Sequence, residues 1–208
     1  MIATVWPYAN AHPLFADLRR RRTLFAMHIR HAREEDANAM ARVIVDTFLT
    51  AHEGHMPAEA MRRRKEAWTH EVSANAWLRT IREIADTTNP QDCIFVACDE
   101  PGEVVGLAMG TTAEGFDYTG EVSALYVRAD WQGRGIGRQL VQTVATWLHQ
   151  HDFATLRIMT LAANAPARKF YEVIGGTVVD GLEIEEYGFT LPGVVYGWPD
   201  IRALIPPA

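Results

Sequence analysis

The sequence predicts an α/β (α+β) fold with one mixed central sheet of about six to seven strands flanked by helices. Three observations predict it. Seven short apolar runs have strand length and end at turn signals, and helical apolar spacing recurs between several of them. Residues 121–184 read strand, helix, strand, helix, strand, which implies a largely parallel arrangement there with helices packed on the sheet. The length of 208 residues, 48% of them hydrophobic, is enough for one such core.

The elements follow in chain order. Residues 1–26 show no amphipathic period and contain the run Arg19-Arg20-Arg21-Arg22. The apolar stretch after it is too short for a signal peptide. The segment reads as a solvated tail, as the product of a start codon upstream of Met27, or as a basic arm for something anionic. The domain pattern runs from residue 27 to 208. Residues 27–32 form a short strand; Ala37, Met40, Ala41, Ile44 and Phe48 then follow helical spacing behind the acidic first turn Glu34-Glu35-Asp36. Helices are expected over 57–71 and 74–86, the second with Trp77, Ile81 and Ile84 as its stripe, before Asn89-Pro90 breaks the pattern. Strands 93–99 and 104–111 flank the turn Glu100-Pro101-Gly102-Glu103 and make a hairpin. Strand 121–127 leads to a helix marked by Ile136, Leu140, Val141, Val144, Trp147 and Leu148. Strand 155–161 follows, then a short helix with Asn164 as N-cap, Pro166 in its first turn and Gly175-Gly176 as its stop. Strands 177–184 and 186–197 finish the chain.

Composition limits the partners. With 26 acidic and 20 basic residues the net charge is −6, so no overall positive field exists to hold a nucleic-acid backbone. No apolar run approaches the roughly 20 residues of a membrane span, and a soluble protein is expected. Cys93 and Cys98 lie five apart in one extended run, about 16 Å by strand rise, beyond disulfide reach. Free thiols suit a reducing cytoplasm. His52-Glu53-Gly54-His55 lacks the spacing of a zinc helix, and no metal is expected. The composition is compatible with a homodimer.

The segment Asp130-Trp131-Gln132-Gly133-Arg134-Gly135-Ile136-Gly137-Arg138 carries the chemistry. Three glycines at alternate positions let the backbone curl with its N–H groups pointing inward. At a helix start these donors add to the positive end of the helix dipole and form a phosphate cradle. Arg134 and Arg138 add charge and forked donors. The spacing is G-x-G-x-G, not the G-x-G-x-x-G of a dinucleotide fold, and no lysine completes a P-loop. A nucleotide-dependent oxidoreductase is therefore disfavoured.

Gln132-Gly133-Arg134-Gly135-Ile136-Gly137 resembles the Q/R-x-x-G-x-G/A acyl-CoA loop of the GNAT superfamily of N-acetyltransferases. Residues 121–127 resemble that family's central strand, and residues 164–172 its later N-x-x-A-x-x-F-Y segment. The closing 195–200 resembles its C-terminal strand. The resemblance covers roughly residues 27–201 and is densest over 121–176. It implies the GNAT fold and acetyl-CoA as co-substrate, transferring its acetyl group to a primary amine of a small molecule or peptide by direct attack in a ternary complex.

By that resemblance, backbone groups of Leu125, Tyr126 and Val127 pair with pantetheine amides as an added strand would, and a strand N–H polarises the thioester carbonyl. Gln132, Gly133, Arg134, Gly135, Ile136, Gly137 and Arg138 hold the pyrophosphate, with Asn164 and Arg168 in the later segment also assigned to the co-substrate. Glu121 is the implied general base, directly or through an ordered water, and Tyr171 the implied acid toward the departing thiolate. Asn164 serves as helix cap, as pantetheine ligand, or as both. Residues 48–77 correspond to the part that shapes the acceptor pocket in the family, so Phe48, His52, His55 and Trp68 are its candidate contacts; Arg62-Arg63-Arg64-Lys65 reads as a solvated helix face. The excess acidity, including Glu183, Glu185 and Glu186, favours a cationic amine. A non-catalytic acyl-CoA sensor of the same fold is the alternative; the presence of both Glu121 and Tyr171 speaks against it.

Overall fold

A computed structural model describes residues 27–88, 90–113 and 117–207; the expectations for residues 1–26 lie outside these. Seven strands form one sheet: β1 (His28–His31), β2 (Cys93–Cys98), β3 (Val104–Thr112), β4 (Gly120–Val127), β5 (Leu156–Leu161), β6 (Thr177–Glu186) and β7 (Phe189–Trp198). Five α-helices are described: α1 (Ala37–Ala51), α2 (Ala58–Ala67), α3 (His70–Ala85), α4 (Ile136–Gln150) and α5 (Ala165–Val173). This is the mixed sheet with flanking helices expected above.

The alternation of β2 separates two cores. Ile94, Val96 and Cys98 face the layer built by Met40, Val43 and Ile44 of α1 with Ile81 of α3. Cys93, Phe95 and Ala97 face the opposite layer, where Leu140, Val141, Val144 and Leu148 of α4 are fully buried. One face of a helix and alternate residues of a strand thus meet where their periods allow. Both cysteines are free and buried. No described helix is long and apolar enough to cross a membrane.

The strand order is β1-β2-β3-β4-β5-β7-β6. The only parallel pairing among the described strands is β4 with β5; all others are antiparallel. This corrects the expectation of a largely parallel arrangement over residues 121–184. β5 and β6 do run in the same direction, but β7 lies between them. Burial explains the placement: Val195, Tyr196 and Trp198 of β7 are buried, whereas β6 is mostly exposed. The more apolar strand takes the interior slot, and the polar one becomes the edge. The turn between them is the two-residue Tyr187-Gly188 with φ of 51° and 82°, so both central residues adopt left-handed backbone as a tight hairpin requires.

Candidate active site

β4 and β5 pair at three positions, Gly120–Leu156, Glu121–Arg157 and Val122–Ile158, and then separate. On its other side β4 carries a bulge: Val122 lies opposite Gly110 and Ala124 opposite Met109, which leaves Ser123 as the extra residue. A bulge bends its strand and increases local twist. β4 thereby turns away from β5, and residues 124–127 keep β3 as their partner while their other edge has no paired strand. The gap opens into a cavity of about 880 Å³.

At one end of this cavity lies the glycine segment. Gly133 and Gly135 have φ of +71° and +83°, and a Cβ at either would meet no atom closer than 3.9 Å. The space beside the backbone is open, and Gly135 is the residue that caps the start of α4. Gly137 sits on the helix against Phe170, 3.4 Å from where its Cβ would be. The Gln132 side-chain amide donates to the Val127 carbonyl at 2.8 Å, tying the loop to the end of β4. Gln132, Gly133, Gly135, Ile136, Gly137 and Arg138 line the cavity. Arg134 does not: its guanidinium lies 4.6 Å from the Trp131 ring centroid and donates to the Asp130 carbonyl at 2.9 Å. Arg168 also faces elsewhere, donating to Tyr196 Oη at 3.3 Å and the Ala162 carbonyl at 3.2 Å. The structure therefore brings Arg138, and neither Arg134 nor Arg168, to the cavity wall.

Leu125, Tyr126, Val127, Asn164 and Tyr171 line the middle of the cleft. Asn164 Oδ1 accepts from the Ala167 N–H at 3.2 Å, so it caps α5 while reaching the cavity wall. Tyr171 packs against Phe170 and Tyr196, each at 5.5 Å between ring centroids. Burial, reinforced by the nearby hydroxyls of Tyr126 and Tyr196, holds its phenol well above the usual value, so it stays protonated. Burial pushes the Tyr126 phenol up to about 12.

Glu121 lines the cavity from β4, and its register partner on β5 is Arg157. Partners on neighbouring strands project to the same face, and here they join: Glu121 Oε2 accepts from Arg157 Nε at 2.7 Å and Nη2 at 2.6 Å. Only 4% of the Arg157 side chain and 11% of the Glu121 side chain are exposed. Arg157 was not singled out from sequence, although a charged residue within an apolar strand signals a buried partner.

The far end of the cavity is built by the end of α1, the turn after it and the β6–β7 hairpin, with Phe48, His52, Met56, Ile184, Glu186 and Leu191 in its wall. His52 is 8% exposed. Its ring stacks on Phe48 at 4.2 Å, and Nδ1 lies 2.9 Å from the Phe48 carbonyl. Of the tetra-basic run, Arg62 and Arg63 pair with Glu59 and Glu66 at the surface. Arg64 departs from the solvated face expected for it. It turns inward over the rings of Phe48 and Trp68, at 4.6 and 4.1 Å, and pairs with Glu186 at 2.9 Å. Trp68 stands edge-on to Phe48 behind the wall, and His55 is exposed; neither lines the cavity. No group of three or more His, Cys, Asp or Glu side chains among the described residues could hold a metal ion.

The sheet is thus split between two parallel strands, with a glycine-rich helix start beside the split. Residues 55–175 match the sequence profile described as the acetyltransferase (GNAT) family, and the chain belongs to that family; it is an acyltransferase with N-acetyltransferase function. It is 30% identical over 184 residues to the "Uncharacterized N-acetyltransferase YuaI" of Bacillus subtilis (strain 168), covering 85% of this chain and 95% of that one. It is 28% identical over 151 residues to the "Peptidyl-lysine N-acetyltransferase YjaB" of Salmonella typhimurium, covering 72% and 95%. Its fold is similar to the crystal structure of the PaiA N-acetyltransferase from Thermoplasma acidophilum in complex with coenzyme A. There the TM-score is 0.62 at 16% identity, over 81% of this chain and 98% of that one.

Proposed function

We propose that this enzyme transfers an acetyl group from acetyl-CoA to a primary amine by direct attack, with both substrates held in one cleft. The observation that carries the proposal is the continuity of a single cavity. It runs from the glycine cradle, past the unpaired edge of β4 and Tyr171, to the pocket at the end of α1. The chain's residues suit acetyl-CoA. Open backbone at Gly133 and Gly135, at the start of α4, offers N–H donors to a pyrophosphate, with Arg138 beside it. Residues 124–127 offer backbone groups to pantetheine amides along an edge that no strand occupies.

The chemistry of the wall supports direct attack. Cys93 and Cys98 lie in β2 away from the cavity, and burial pushes the Cys93 thiol up to about 12, so neither offers a thiolate to carry the acetyl group. Tyr171, kept protonated by burial, supplies the proton to the departing sulfur. Glu121 orients the attacking amine or a water through Oε1. Its other oxygen, Oε2, accepts from Arg157 Nε and Nη2. The apolar wall of Phe48, Ile184 and Leu191 receives the body of the acceptor.

Incubation with acetyl-CoA and a panel of alkyl, arylalkyl, amino-acid and peptide amines, followed by free-thiol release, tests this reading. Release with at least one amine is expected. Binding of acetyl-CoA without release for any amine would instead support the sensor alternative. Tyr171→Phe is expected to lower turnover by about 10²-fold or more at nearly unchanged acetyl-CoA affinity. An unaltered rate would remove the tyrosine from the proton path.

A further inference from the structure

We infer that His52 is the general base of this enzyme, its Nε2 taking the proton of the acceptor amine; the inference rests on the reading proposed above. The geometry assigns the tautomer. Nδ1 of His52 lies 2.9 Å from the carbonyl oxygen of Phe48, one helical turn back at the end of α1. A carbonyl oxygen only accepts, so Nδ1 must carry the hydrogen, and a neutral ring then has its lone pair on Nε2. Stacking on Phe48 fixes the ring plane. Nε2 makes no hydrogen bond among the described residues, and His52 is one of the residues lining the cavity that Glu121 and Tyr171 also line. An oriented imidazole with one nitrogen anchored and the other uncommitted, facing an acceptor pocket, has the arrangement of a proton acceptor.

Charge supports the same assignment. The charged or titratable groups acting on His52 are His55 in the same turn, Arg64 on α2 and Glu186 on β6. Arg64 and Glu186 pair with each other at 2.9 Å and oppose one another in their effect on the ring. Burial dominates and holds His52 below the usual histidine value, so it is neutral near pH 7 and able to accept. Glu121, on β4, has one carboxylate oxygen held by Arg157 Nε and Nη2.

The step balances. An acceptor ammonium gives one proton to His52 Nε2, and the freed lone pair forms the C–N bond at the thioester carbonyl carbon. The C–S bond breaks with its electron pair on sulfur, which takes the Tyr171 hydroxyl proton. The second proton of the attacking nitrogen replaces it on the tyrosine. His52 then releases its proton to solvent, so ammonium and acetyl-CoA give acetamide, CoA thiol and one proton.

The test is His52→Asn, whose side-chain N–H can still donate to the Phe48 carbonyl, assayed with the best amine of the panel. At pH 7 kcat/KM is expected to fall by about 10²- to 10⁴-fold, with acetyl-CoA affinity by calorimetry unchanged. The defect should shrink as pH approaches about 10.4, where an alkylamine loses its own proton. A defect that is constant across pH, or none, overturns the inference. A second measurement needs neither turnover nor a foldable variant: long-range ¹⁵N–¹H spectra of the wild-type protein across pH. A neutral Nδ1–H ring titrating below about 6.5 is expected. The Nε2–H tautomer, or a midpoint above that value, refutes the assignment. If the wild type acetylates none of the amines, the proposed function itself has failed, a result distinct from an active wild type with an equally active His52→Asn.

Discussion

Gly135 adopts a backbone angle that an L side chain rarely takes, at the residue where α4 begins. A β-branched side chain there carries a left-handed penalty of about 1–2 kcal/mol and stands where a phosphate would approach the N–H groups. Gly135→Val is therefore expected to weaken acetyl-CoA binding at least about 10-fold by calorimetry; an unchanged affinity would refute the cradle. Gly137 supplies the contrast: its φ is not left-handed, and a Cβ would meet Phe170 at 3.4 Å, ordinary van der Waals contact. Gly137→Ala should bind within about threefold of the wild type, less than 0.7 kcal/mol. These glycines were legible because spacing alone reports a backbone that must curl at a helix start. Which arginine accompanies them was not legible. Arg134 and Arg138 bracket the same loop, but the indole of Trp131 captures the first, leaving Arg138 on the cavity wall. The Glu121–Arg157 pair was hidden for a related reason. Its members are separated by 36 residues, and only the parallel register of β4 and β5 sets them side by side.

Between β1 and α1 the chain turns through Asp36, and this junction positions the helix that ends in Phe48 and His52. Asp36 accepts from Arg30 Nη1 at 2.6 Å, Arg30 Nη2 at 2.9 Å and the Arg33 N–H at 2.8 Å, while only 5% exposed. Burial raises this carboxyl, but the hydrogen bonds from Arg30 and Arg33 outweigh it and leave it below the usual carboxylate value. A group depressed in the folded state stabilises the fold above its unfolded pKa of about 3.9, and that contribution is lost as pH falls through the folded value. Asp36→Asn is accordingly expected to cost about 1–3 kcal/mol near pH 7 in denaturant titration. The gap between wild type and variant should narrow as pH falls below about 3.9; parallel curves at every pH would contradict the linkage. The sequence marked these residues as an acidic first turn. It could not show that one of them faces an arginine of the preceding strand. The elements themselves were readable because periods of 3.6 and 2 alternate along the chain. The neighbours of β6 were not, because a strand–helix–strand pattern reports direction, and the slot beside β5 went to a strand reached through the later Tyr187-Gly188 turn. The bulge at Ser123, which opens the cleft, left no glycine or proline at that position to announce it.

The molecule is divided by its own site: β1 to β4 form one part of the sheet and β5, β7 and β6 the other, joined across the sheet by pairing at Gly120, Glu121 and Val122 alone. A ligand in the gap contacts both parts and therefore binds the folded chain, whereas the unfolded chain offers neither the cradle nor the strand edge. The whole-chain charge of −6 would repel a polyphosphate, so attraction must come from the local N–H groups and Arg138. Acetyl-CoA at about 100 times its dissociation constant should add about 2.7 kcal/mol to the stability of the fold. For a chain of this size that corresponds to a rise of roughly 5–11 °C in melting temperature. ATP and NADH, which carry phosphates but no pantetheine arm to lie along residues 124–127, should give a much smaller shift. Differential scanning fluorimetry across a concentration series of each ligand checks this. Equal shifts for all three would show that the glycine cradle binds phosphates without help from the strand edge. No shift with acetyl-CoA at millimolar concentration would sink the reading of the gap as its binding cleft.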